Sequence, residues 1–184
     1  EAGLELPEDA AARYGLGAAI GNAAVSLEQL TQAFSIFPNR GTLRPLRRIA
    51  LLRDSAGRLW EQAQPAPRRV LGEQTAWLVS DILSDEAARV SGFGRAARFD
   101  TGFPALFKSG TASGYTSLWC LGATPAYTVG VWAGNLDGRP AFGLTGSSLP
   151  ADVAVRTLAL LQEGRRSPPP PAPPGLEQRA ICTV

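Results

Sequence analysis

The sequence predicts a mixed α/β fold of the α+β kind, an antiparallel sheet flanked by helices. Three observations carry this expectation. Residues 105–112, 117–123 and 126–134 are strand-like and separated only by short turns, at Ser113-Gly114 and Thr124-Pro125, which implies a meander. The middle segment, with Leu118, Trp119, Cys120 and Leu121, is apolar on both faces, as expected of a strand covered on both sides. Helical periodicity appears before and after these strands.

In chain order, the Ala-rich stretch 7–13 reads as a helical turn and leads into a glycine-punctuated loop, 14–22. A helix follows: Ser26 and Gln29 are spaced as a capping box, and Leu27, Leu30, Phe34 and Phe37 share one face. Pro38-Asn39-Arg40-Gly41 ends it. Residues 46–53 and 58–62 flank Asp54-Ser55-Ala56-Gly57 as a hairpin, and Pro65 and Pro67 break the chain again. A second helix, 72–84, carries Ala76, Val79, Ile82 and Leu83 inward, with Trp77 partly covered. Residues 91–102 form a loop rich in Gly and Arg. After the meander, a helix starts near Pro150, with Val153, Leu158 and Leu161 as its stripe and Gly164 as its stop. Residues 167–175, six of them proline, read as a semi-rigid polyproline linker, and 176–184 as the first strand of a following module.

Composition narrows the chemistry. Seventeen of the 18 basic residues are Arg, leaving one lysine, Lys108, and there is no His. Histidine-based triads are therefore excluded within the chain, and two cysteines cannot build a structural zinc site. Neither a cofactor nor a metal is expected. A formal charge of +2 from scattered arginines argues against nucleic acid, and no apolar run reaches the roughly 18–20 residues of a membrane span. Cys120 reads as a small buried side chain and Cys182 as incidental, with no disulfide between them. The chain begins at Glu1 and contains no Met, so it is expected to be a piece of a longer protein.

Three segments invite a functional reading. Gly15-Leu16-Gly17-Ala18-Ala19-Ile20-Gly21 superficially matches a dinucleotide-binding pattern, but no apolar strand precedes it and no suitable acid follows, so a close-packed turn is the better account. The pairs Arg47-Arg48, Arg68-Arg69 and Arg165-Arg166 are dispersed, without aromatic platforms, and read as solvated faces. Lys108-Ser109-Gly110-Thr111-Ala112 is different. In a chain that uses arginine everywhere else, a lysine points to a compact ammonium. Gly110 shares its strand face and opens space beside it. Ser109 and Thr111 add hydroxyl donors. The combination suits an extended peptide ending in a carboxylate.

Lys108-Ser109-Gly110 followed by Thr111 resembles the Lys-Thr/Ser-Gly motif of the penicillin-binding proteins and serine β-lactamases. Its setting resembles the family too: Trp119-Cys120-Leu121-Gly122, then Tyr127-Thr128-Val129-Gly130-Val131-Trp132-Ala133-Gly134, then a closing helix. The Pro-rich stretch resembles that of bifunctional penicillin-binding proteins of the 1C type, which add a C-terminal module there. The likeness implies the penicillin-binding transpeptidase fold as an incomplete domain: residues 1–166 as its C-terminal portion, 167–175 as linker, 176–184 as the start of a module. It implies D,D-transpeptidation, in which a serine acylated by a D-Ala-D-Ala stem peptide passes the acyl group to a neighbouring amine. Lys108 and Thr111 are then catalytic, the second through a backbone N–H in the oxyanion hole. Ser109, Gly110, Thr111 and Ala112 bind substrate. The partners implied are peptidoglycan stem peptides, β-lactams and the remainder of the transpeptidase domain. The location implied is the periplasm or cell envelope, with the membrane anchor outside this chain.

The nucleophile motif, Ser-x-x-Lys, cannot occur here, because Ala105 precedes the only lysine by three positions. Ser-x-Asn is absent as well: Asn22, Asn39 and Asn135 follow Ile20, Phe37 and Ala133. The chain alone is therefore expected to be inactive. Two other readings remain: a non-catalytic envelope-binding module of the same fold, and a serine β-lactamase-like hydrolase.

Overall fold

The computed structural model describes residues 3–61, 65–93 and 99–179. Its centre is a three-stranded antiparallel sheet, β5 (Leu106–Thr111), β6 (Leu118–Ala123) and β7 (Thr128–Ala133), in that order. The expected meander is present. A short turn at Ser113–Tyr115 joins β5 to β6 and closes with Ala112 N–H donating to Ser117 O at 2.9 Å. Between β6 and β7 the buried Thr124 takes the corner: its Oγ1 accepts from the backbone of Ala126 (3.3 Å) and Tyr127 (3.2 Å). This is the short polar side chain's usual way of replacing a backbone partner in a tight turn.

Both faces of the sheet are covered, so β6 is buried along nearly its whole length. On one face lies α5 (Leu149–Gln162), which packs Ala151, Ala154 and Leu158 against Phe107 and Cys120, with Phe99 and Ala105 completing the cluster. On the other, Leu106, Leu121 and Ala123 meet Phe34, Leu30, Phe37 and Leu83. Those aromatic and leucine side chains come from or adjoin α2 (Leu27–Phe34) and α3 (Glu73–Ser84). The capping box at the start of α2 forms as its spacing predicts: Gln29 N–H donates to Ser26 Oγ at 3.1 Å, and Ser26 N–H to Gln29 Oε1 at 3.2 Å. The helix then sits close on β7. A Cβ at Gly130 would overlap Thr31 Oγ1, so this approach requires glycine.

Several elements differ from the sequence expectation. The helical turn near the start is α1 (Ala10–Tyr14), and the loop after it winds as a 3₁₀ helix over Gly15–Ile20. It is not close-packed: Leu16 is 96% and Ile20 89% exposed. Residues 42–43 and 68–69 form β1 (Thr42–Leu43) and β4 (Arg68–Arg69), paired antiparallel across a long insertion. Inside that insertion the predicted hairpin forms with shorter strands, β2 (Leu52–Arg53) and β3 (Leu59–Trp60). Its turn is held by Asp54, whose carboxylate accepts from Ala56 N–H, Arg58 N–H and the Arg58 guanidinium.

Part of the predicted 91–102 loop is helix α4 (Glu86–Phe93), while residues 94–98 lie outside the described chain. In α3, Ala76 is buried but Ile82 faces outward at 70% exposure. In α5, Val153 and Leu161 are turned aside, and the buried stripe is Ala151, Ala154 and Leu158. Small residues win there because the helix lies close on β6, where the space in front of Gly122 is already filled by Leu158 and the Phe107 ring. Residues 176–179 carry no strand, and 180–184, with Cys182, lie outside the described residues. No helix among the described residues is long and apolar enough to cross a membrane.

Candidate active-site wall

β5 lies at one edge of this sheet, and it carries the whole Lys108-Ser109-Gly110-Thr111 run. Ala112 follows at its exit and is exposed. Cross-strand register sorts these residues. Lys108 pairs with Leu121 and Gly110 with Trp119, whereas Ser109 pairs with Cys120 and Thr111 with Leu118. Directly paired residues share a face. Lys108 and Gly110 therefore lie on the side covered by α2 and α3, and Ser109 and Thr111 on the side of α5. Gly110 leaves room beside the lysine as expected: a Cβ there would meet only Trp119 Cβ, at 3.5 Å.

The backbone alternates in the other direction. Ala112 N–H bonds to Ser117 O, on the side of β6. In an antiparallel pair, successive residues point their N–H and C=O alternately toward and away from the neighbour. Gly110 and Lys108 thus face β6, while Thr111 and Ser109 present their N–H and C=O groups to the open edge. One outward acceptor is already used, since Lys108 Nζ folds back and donates to Ser109 O at 2.6 Å. The exposed ammonium makes no ion pair among the described residues. An edge with outward N–H groups beside an exposed ammonium can hold an extended chain with an anionic end.

Two supports hold this wall. Behind β5, the half-buried Arg89 of α4 places its guanidinium 5.7 Å from the Phe99 ring and 5.6 Å from that of Phe107. It also donates to Ser84 O at 3.0 Å and Ala105 O at 3.5 Å, tying the start of β5 to the helices. Burial pushes its pKa down, but from so high a starting value that the group stays charged. Above β5 lies the loop Thr145-Gly146-Ser147-Ser148, where Gly146 N–H donates to Thr111 Oγ1 at 3.0 Å.

A Cβ at Gly146 would overlap backbone atoms of both Gly110 and Trp119, none of which can rotate away. Gly146→Ala is accordingly expected to lift the loop from β5 and cost about 1–3 kcal/mol, the usual range for overpacking. An unchanged midpoint in chemical denaturation would rule that contact out. Sequence reading missed this loop. Its hydroxyls and glycine just before a helix-starting proline were a signal, but nothing local tied them to a strand 35 residues away.

The indoles of Trp119 and Trp132, in register on β6 and β7, both donate to Ser117 Oγ, at 2.9 and 2.6 Å. One hydroxyl thus fixes both rings on the face that carries Lys108. Cys120, behind Ser109, is no substitute nucleophile. Burial pushes its thiol up to about 12, against a smaller opposing pull from the Lys108 charge, so it stays protonated near neutral pH. Among the described residues, no three Asp, Glu or Cys side chains converge as a metal site.

Comparison with known proteins gives this arrangement its context. The family described as the penicillin binding protein transpeptidase domain matches residues 3–154. Penicillin-binding protein 1C of Escherichia coli K12 is 29% identical over 183 residues, which is 97% of this chain but 21% of that protein. Among solved structures, PonA1 from Mycobacterium tuberculosis superposes with a TM-score of 0.72 at 19% identity, over 91% of this chain and 50% of that one. The same protein in complex with penicillin V gives 0.72 at 20% identity, over 88% and 44%. The chain therefore spans about a fifth of its curated relative and half of the solved one. With the fold shared and the family match running through the lysine strand into α5, the chain belongs to the penicillin-binding protein transpeptidase domain family.

Proposed function

We propose that the chain supplies the substrate-binding wall of a D,D-transpeptidase site in the bacterial cell envelope. The observation that carries this reading is the position of Lys108-Ser109-Gly110-Thr111 on an open sheet edge, with the Thr111 N–H directed outward. In the reaction, a serine hydroxyl adds to the penultimate D-Ala carbonyl of a stem peptide, and the terminal D-Ala leaves with the proton. An amine of a neighbouring stem then displaces the serine, forming the cross-link. Lys108 pairs with the terminal carboxylate, and Ser109 hydrogen-bonds it from the opposite face of the strand. Gly110 and Ala112 allow the substrate backbone to approach, and Thr111 N–H donates to the developing oxyanion. One such donor is worth about 3–4 kcal/mol of barrier in other acyl-transfer enzymes. A β-lactam occupies the same edge because its carboxylate and strained amide imitate the stem peptide's end.

The nucleophile must come from elsewhere, since the chain contains no Ser-x-x-Lys. In this reading, residues 1–166 are the C-terminal portion of the transpeptidase domain and the remainder supplies the serine and its base. That remainder also covers exposed apolar side chains such as Leu16, Ile20 and Leu136 (98% exposed). A second reading, a non-catalytic envelope-binding module, draws on the same missing motif.

Incubation of the pure chain with fluorescent penicillin, followed by a denaturing gel, is expected to show no labelled band. The same incubation with the chain joined to a Ser-x-x-Lys-bearing segment of a relative is expected to show one. Labelling of the pure chain would defeat the divided site, and failure to label the completed domain would favour the binding module.

A further inference from the structure

The segment 167–176 does not stand away from the fold. Its burial repeats every third residue: Ser167, Pro170 and Leu176 are half-buried and Pro173 is buried, while the six residues between them are all exposed. A period of three is that of the polyproline II helix, so from Ser167 to Pro173 one face of such a helix lies against the protein, before a turn at Pro174-Gly175, where Gly175 has φ 87°, leads to Leu176. The surface beneath it is α3. Trp77 Nε1 donates to Pro170 O at 3.1 Å, and Gln74 Nε2 donates to Pro174 O at 3.1 Å. Residues 74 and 77 are three apart and share a helix face, and the higher number on α3 pairs with the lower one on the segment, so the two run antiparallel.

The chemistry of the pair is complementary. A proline run has no N–H to offer and leaves its carbonyls unbonded within its own helix. The indole of Trp77 is a donor only, and Gln74 uses its amide N–H₂ toward the segment. We propose that the α3 face bearing Gln74 and Trp77 is a polyproline-recognition surface, with residues 167–176 of the same chain as its ligand. Aromatic side chains that read proline-rich helices in trans use the same match of indole donor to prolyl carbonyl. Here the ligand is tethered, so its effective concentration is high and modest contacts suffice to keep it docked. The segment then acts as a strap. Pro169 and Pro170 close one side of a cavity of about 610 Å³ whose other walls include Trp77, Phe103, Pro104 and Ala105, the residues leading into β5. This inference does not depend on the transpeptidase reading.

The test uses the full chain with ¹⁵N-labelled tryptophan. Trp77→Phe identifies the Trp77 indole signal, and its solvent exchange is compared with that in Pro173→Asp, which puts a charge at the buried contact. Exchange in the parent chain is expected to be slower by about tenfold or more, as for a proton released only on local opening. Adding a synthetic decapeptide of residues 167–176 to the Pro173→Asp chain is expected to restore slow exchange saturably. The Trp119 and Trp132 signals report that the sheet is intact. Gln74→Ala, at an exposed position, provides a milder variant with an expected acceleration of about fivefold, the loss of one net hydrogen bond. Equal exchange rates in the parent chain and both variants would overturn the docking. Absence of any peptide effect on the Trp77 signal would overturn the recognition surface.

Discussion

Lys108→Arg, in a protein where this chain is joined to its nucleophile segment, is expected to slow acylation by penicillin about 10- to 100-fold. The range is that of a lost hydrogen bond between charged groups. The wild-type ammonium is compact enough to fold onto Ser109 O at 2.6 Å while staying exposed at the sheet edge. A guanidinium is a rigid planar fork on a longer reach and cannot satisfy the same strand carbonyl and a substrate carboxylate from the same place. Charge is conserved in the substitution, so a rate loss would isolate geometry from electrostatics. The measurement is the second-order acylation rate from time-resolved labelling. Unchanged kinetics would remove Lys108 from the site, and with it the argument that the sheet edge is the substrate wall.

The second large effect is on stability. Leu158→Ala is expected to cost about 3 kcal/mol and to lower the melting midpoint by roughly 6–12 °C. Leu158 is 0% exposed and its methyl groups fill the space above Gly122, beside the Phe107 ring, so truncation leaves a cavity between α5 and the centre of the sheet. Leu161→Ala is the control. At 39% exposure on the same helix, it is expected to shift the midpoint by less than about 3 °C. Equal shifts for the two would contradict the orientation of α5 described above.

That pair of substitutions also marks where sequence reading succeeds and where it stops. The meander was legible because each strand is bounded by its own turn chemistry, and α2 because Ser26 and Gln29 cap it through contacts three residues apart. The existence of α5 was legible from Pro150, but its rotation was not. Apolar weight points to Val153 and Leu161, whereas the close approach to Gly122 selects Ala151 and Ala154, and that approach is a tertiary fact. The pairing of Thr42–Leu43 with Arg68–Arg69 was hidden for a similar reason: two-residue strands carry no periodicity of their own. For the candidate site, the lysine strand was conspicuous through its composition. Its supports, Arg89 from behind and Gly146 from above, come from remote segments. No local pattern links them to β5.

The two-sided covering of the sheet bears on the order in which the chain can assemble. The α5 side draws chiefly on the meander and the helix that follows it, so most of its loops are short. The opposite side joins Phe34 to Leu121 across the whole of the β1–β4 insertion and α3, a much longer closure. Closure entropy grows with loop length, and contacts distant in sequence are slow to form. Early in folding, the lysine strand is therefore expected to have its α5 face covered while the face carrying Lys108 is still wet. Its final setting awaits the arrival of the N-terminal helices.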